Sequence, residues 1–102
     1  MTVTEFTALC ENTAIEPSQP ELKENPLLLA LWHDYRDHWD TAHTIAQGVS
    51  TPAGSAVHAY LHREEGDLSN AQYWYSRAGR TMPGSSLKDE WKSLAAELCA
   101  TT

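Results

Sequence analysis

Basic residues are scarce in this sequence, with 7 lysines and arginines against 14 acidic residues and a net charge of −7 over 102 residues. A field of that sign repels phosphate backbones and anionic lipid, so neither nucleic acid nor a membrane is an expected partner. Long apolar runs are missing as well. No stretch approaches the roughly 18 to 20 continuous apolar residues of a membrane span, and Met1 to Pro20 has neither a basic start nor an apolar run. The expectation is a cytoplasmic chain. Cysteine is limited to Cys10 and Cys99, far apart, with no CxxC and no neighbouring metal ligands. Such sparse usage predicts two reduced packing thiols, although first and last helices lying side by side would also permit a disulfide. Catalytic signatures are absent too: there is no GxSxG, no phosphate-cradling glycine loop and no Cys-His pair suggested by spacing. No catalytic residue and no cofactor is assigned on these grounds, and the chain reads as non-enzymatic.

What the sequence does contain is helical periodicity in one domain, residues 1–102. Val3, Phe6, Leu9, Cys10 and Ala14 recur at helical spacing, and the pattern stops at the polar stretch EPSQPELKEN, read as a loop. Pro26 suits the first turn of a helix running to about Arg36. Trp39, Ala42, Ala46 and Val49 mark the next helix, which ends near Gly48. Pro52, behind the potential caps Ser50 and Thr51, opens another helix that Gly66 breaks, and Asp67 caps its successor with Leu68, Ala71, Tyr75 and Ala78 as the inward stripe. Ser86 with Asp89 and Glu90 looks like a capped start for a helix bearing Leu87, Trp91, Leu94, Ala95 and Leu98 on one face. No segment alternates with period two for long. The predicted fold is all-α: five to six helices as two stacked antiparallel hairpins, at about 27–50 and 56–79, with flanking N- and C-terminal helices.

The two hairpins form an internal repeat, since Ala30 and Ala59 are 29 apart, as are Ala42 and Ala71. A small residue in each arm lets two helix backbones approach closely. The second copy, with Ala59, Gly66-Asp67, Ala71, Tyr75, Ala78 and Pro83 in order, resembles a tetratricopeptide-type hairpin. The first copy matches only through Ala30, Ala42 and the turn near Asp37, and its 29-residue offset is shorter than the family's repeat of about 34. HAYLHREEGD followed by NAQYWYSRAG also resembles a family of small bacterial helical proteins. The tetratricopeptide resemblance implies stacked α-hairpins and often protein or peptide binding, and implies no catalytic residues.

His58 and His62, four apart on one helix, share a face that Glu65 adjoins. This is half of a metal site, without the base of an HExxH motif and without a defined third ligand, so no metal ligand set is assigned. Hydrogen-bonding histidines at a helix seam are the blander reading, and a metal-binding protein or cryptic hydrolase using His58, His62 and Glu65 is the alternative. His33, His38 and His43, at spacings of five, fall around a helix rather than on one face. In Tyr73-Trp74-Tyr75, Tyr75 holds the repeat-core position, leaving Tyr73 or Trp74 to pack elsewhere or to meet a partner. Arg77 could bind a carboxylate or stabilise its helix end. The reading that follows is an interaction module for a protein, a peptide or a second copy of itself, with Trp74, Tyr73, Arg77, His58 and His62 as candidate binding residues.

Overall fold

The computed structural model describes residues 1–101 and contains, among them, helices and no strand. In chain order they are α1 (Val3–Asn12), α2 (Pro20–Glu24), α3 (Pro26–Tyr35), α4 (Trp39–Gln47), α5 (Pro52–Glu64), α6 (Leu68–Arg77) and α7 (Leu87–Ala100). The all-α class is therefore as expected, with one helix more than the upper count. The addition is α2, a single turn inside the segment read as a loop. Its signal was too short for periodicity to reveal: Pro20 opens it, and one apolar residue, Leu22, is driven fully into the core.

The helix starts follow from local chemistry. Thr2 and Glu5 form a reciprocal capping box on α1, Thr51 accepts the Gly54 amide, Asp67 accepts the Asn70 amide, and Ser86 accepts the Asp89 amide. The ends of α3 and α5 repeat one device at the same 29-residue offset. Asp37 and Gly66 both take left-handed backbone, with φ of 62° and 88°, and the next amide reaches back to the last-turn carbonyl, His38 to His33 at 2.8 Å and Asp67 to His62 at 3.0 Å. These turns fold α4 back on α3 and α6 back on α5.

Within each hairpin the paired alanines, Ala30 with Ala42 and Ala59 with Ala71, are fully buried. Leu68 departs from the expected inward stripe and is 52% exposed, because it sits in the first turn of α6 beyond the reach of α5. Ala14 likewise lies past the end of α1 and is exposed. The main core joins α1, α3, α5 and α7 around Trp32, Leu28, Leu31, Leu61 and Trp91, with Phe6 stacked on Trp91 at 5.7 Å. A buried polar clamp ties in the last helix: Glu90 of α7 accepts from Arg63 of α5 at 2.7 Å and from Tyr75 of α6 at 2.6 Å.

The two hairpins meet where α5 begins. A Cβ built on Gly54 would lie 2.0 Å from the Val49 carbonyl oxygen, so only glycine fits. Gly54→Ala is expected to exceed the roughly 1–3 kcal/mol usual for overpacking, lowering Tm by about 12 °C or more in a domain of this size. Thermal melting by circular dichroism checks it, and an unchanged midpoint would mean that the helices can part here without loss.

A second consequence concerns acid pairs. Asp34, almost fully buried, hydrogen-bonds Glu64 and Tyr60 across the α3–α5 seam. Burial, with the neighbouring Asp34 next, raises the Glu64 carboxyl from 4.5 to about 9, and burial raises Asp34 as well. A folded-state value above the unfolded one means that the folded chain holds the proton more tightly. This contribution is fully present below pH 4.5 and is lost as pH rises towards about 9, with a slope of at most about 1.4 kcal/mol per pH unit for one proton. Glu64→Gln should flatten the decline in stability between pH 6.5 and 9 and melt higher than wild type at pH 8. Parallel urea titrations across that range would expose the idea as wrong if the two proteins kept the same slope.

Candidate metal centre

Three imidazoles converge where α4, α5 and α6 meet. His58 and His62 stand one turn apart on α5 with ring centroids 4.8 Å apart. Antiparallel packing of α4 against α5 brings His43 to both of them, at 4.6 Å from His58 and 5.1 Å from His62. One nitrogen from each ring lies within 4.8 Å of the other two. His58 and His62 are buried and His43 is half-buried. Two indoles wall the group: Trp39 stacks on His43 at 4.8 Å, and Trp74 stacks on His58 at 4.0 Å. Trp39 is itself fixed by donating its Nε1 proton to the Leu61 carbonyl at 2.9 Å.

The hydrogen bonds determine which lone pairs are available. His43 Nε2 and His58 Nε2 are 3.0 Å apart, so one ring carries the shared proton and the other accepts it. An ion between them requires both lone pairs there, and the donor ring meets this by moving its proton to Nδ1. That change leaves the ring neutral. Nitrogens around a tetrahedral ion with bonds of about 2.0–2.1 Å stand about 3.3 Å apart, so this pair needs little movement and the third nitrogen closes in by at most about 1.5 Å.

The tautomer of His62 is set by its hydrogen bonds. Its Nδ1 lies 2.7 Å from Glu65 Oε1, and its Nε2 lies 3.4 Å from the Asn70 amide nitrogen. A carboxylate only accepts and an amide nitrogen only donates, which puts the proton on Nδ1 and the lone pair on Nε2. Charge state favours ligation as well. Burial, reinforced by His43 and His62, lowers His58 to about 4, and burial with His62 lowers His43. Both rings are neutral at pH 7, as metal ligands must be.

Of the residues singled out in the sequence, His58 and His62 are brought together here, while Glu65 touches only His62. Trp74 does not stand apart from the packing. It is half-buried against His58, because the α6 residue following Tyr73 turns toward the first half of α5. Tyr73 is 54% exposed, and Arg77 lies over the Tyr73 and Trp74 rings at 5.9 and 5.3 Å while donating to the Tyr73 hydroxyl at 3.2 Å. The sequence reading excluded His43 on spacing within one helix, and that exclusion fails because the third ring arrives from the neighbouring helix. Symmetry about the turn was the available signal. His43 stands seven residues before Ser50, and His58 stands seven after Thr51. His33 and His38 do not join the group; they bond each other at 3.2 Å, with Glu16 at 2.8 Å from His33.

Burial disfavours the thiolate form of both cysteines. Cys10 and Cys99 are free thiols, and burial raises Cys10 to about 12. Among the described residues no helix is long and apolar enough to cross a membrane. Compared with protein-family models, curated proteins and solved structures, the chain matches none.

Proposed function

We propose that this chain is a transition-metal-binding protein whose ion is held by His43, His58 and His62. The observation that carries the reading is the convergence of three imidazole nitrogens within 4.8 Å of one another from two helices. Neutral nitrogen donors without a carboxylate among them suit zinc(II), cobalt(II), nickel(II) or copper(II), and do not suit magnesium or calcium, which take oxygen ligands. Three protein ligands leave a fourth position for water or a small exchangeable ligand.

Calorimetric titration with zinc or cobalt should find one ion per chain. His43→Ala, which removes the only ligand from α4, should lower affinity by about 100-fold or more, as should each of the other two alanine substitutions. Ion at about 100 times its Kd should stabilise wild type by about 2.7 kcal/mol and leave His43→Ala unmoved. Equal binding by wild type and His43→Ala would defeat the proposal.

A second reading, association with a protein, a peptide or a second copy, has one specific observation in its favour: the half-exposed Tyr73 ring with the Arg77 guanidinium over it. Resemblance to tetratricopeptide hairpins points the same way. On this reading Tyr73→Ala should weaken self-association about 30-fold or more, a hot-spot effect, without changing the melting midpoint. Sedimentation equilibrium measures both species, and a wild-type chain that stays monomeric at high concentration removes self-association from consideration.

A further inference from the structure

Glu65 occupies an ambiguous place beside the three histidines. It caps the end of α5, three residues beyond His62, with its carboxylate oxygen 2.7 Å from His62 Nδ1. With His62 and Asp67 it also forms a second group of three potential ligands within 4.8 Å of one another. Either Glu65 binds an ion directly in that exposed group, or it acts on the histidine cluster through His62.

The proton on His62 decides between these roles. The Glu65 contact keeps that proton on Nδ1, so the nitrogen facing the carboxylate cannot ligate without breaking its shortest hydrogen bond. The opposite nitrogen keeps its lone pair and meets only the long 3.4 Å contact from Asn70, which costs little to give up. The surroundings argue the same way. The His62 ring is 9% exposed, whereas the Glu65 side chain is 37% exposed and Asp67 is also on the surface. The His43–His58–His62 group has two buried rings and one half-buried ring with indoles stacked on two of them, whereas the group with Glu65 and Asp67 offers two exposed carboxylates.

Resting on the three-histidine reading above, we propose that Glu65 is a positioning residue for the metal: it anchors His62 Nδ1–H, turns the Nε2 lone pair to the ion, and thereby sets the affinity without being a ligand. The carboxylate makes the ring a stronger donor by accepting the proton opposite the metal. Orientation contributes as well, because an unanchored His62 can rotate its lone pair out of the pocket. Outer partners of this kind change metal affinity by about 10- to 100-fold.

The test uses the full chain with cobalt(II), whose visible spectrum reports its donor set. Glu65→Ala should weaken cobalt binding about 10- to 100-fold, yet the saturated variant should show the wild-type spectrum because the three nitrogens are unchanged. Glu65→Gln keeps an oxygen that accepts from Nδ1–H and loses the charge, so its affinity should fall between the two. In a His62→Ala background, Glu65→Ala should cause no further loss, a dependence that a merely structural role would not give. Ion-free melting of each variant separates any folding defect, and Glu65→Gln carries the comparison if Glu65→Ala is destabilised. Wild-type affinity in Glu65→Ala, alongside a large loss in His43→Ala, overturns this inference and leaves the three-histidine site standing. A changed cobalt spectrum in Glu65→Ala makes Glu65 a ligand and also overturns it. Binding abolished by Glu65→Ala or Asp67→Asn but untouched by His43→Ala places the ion in the exposed group, and absence of cobalt binding by wild type removes any metal; both outcomes overturn the two readings together.

Discussion

The approach of Gly54 to the Val49 carbonyl fixes the relation between the two hairpins, and the convergence of histidines depends on it. A hydrogen atom is all that the backbone at Gly54 can carry there. Val49 lies in the short connection between α4 and α5, so this approach holds the connection tightly against the first turn of α5, and residues placed symmetrically about it, His43 and His58, face each other. Any side chain at position 54 would push the connection at Val49 away from α5, and the 3.0 Å contact between the rings depends on that connection holding its place. Function on this fold is therefore a matter of backbone approach before it is a matter of ligand chemistry.

Elsewhere several of the buried polar groups are held by partners from other helices. Glu90 joins three helices through Arg63 and Tyr75, while Asp34 and Glu64 join two through a buried pair in which burial raises both carboxyls, Glu64 to about 9. Such contacts contribute little net energy compared with apolar packing, but leaving one partner unsatisfied is costly. They fix register: a helix shifted by one turn would bury a carboxylate with no donor. The same rigidity holds the imidazoles in place.

Much of this was legible in the sequence because it is local. The caps at Thr51, Asp67 and Ser86, the break at Gly66 and the buried alanine pairs all follow from residue type and short spacing. What escaped depends on contacts between segments. Leu22 orders α2 only because the core lies beneath it, and Leu68 is apolar without a neighbour to cover it. Trp74 was separated from the inward stripe by its angle on one helix, yet a large ring reaches across such an angle to stack on α5. His43 falls off the common face by spacing on one helix, yet packing of α4 on α5 brings its ring to His58 and His62. Periodicity gives directions around an axis, and a site is made where two axes cross.

The internal repeat places two histidines alike and gives them different partners. His33 and His62 stand 29 residues apart, each in the last turn before a left-handed residue, and each bonds an acidic side chain. In the first hairpin the ring is closed off at both ends: Glu16 takes Nε2 and His38 takes Nδ1 at 3.2 Å. In the second, Asp67 follows the turn where His38 does in the first, and it serves as the helix cap, bonding the Asn70 amide and leaving the ring alone. Only Glu65 then holds His62 firmly, by one nitrogen. One position in the repeat thus yields a structural histidine when two strong partners flank it and a free lone pair when one does, and the stacked hairpins supply that lone pair with two neighbours of the same kind.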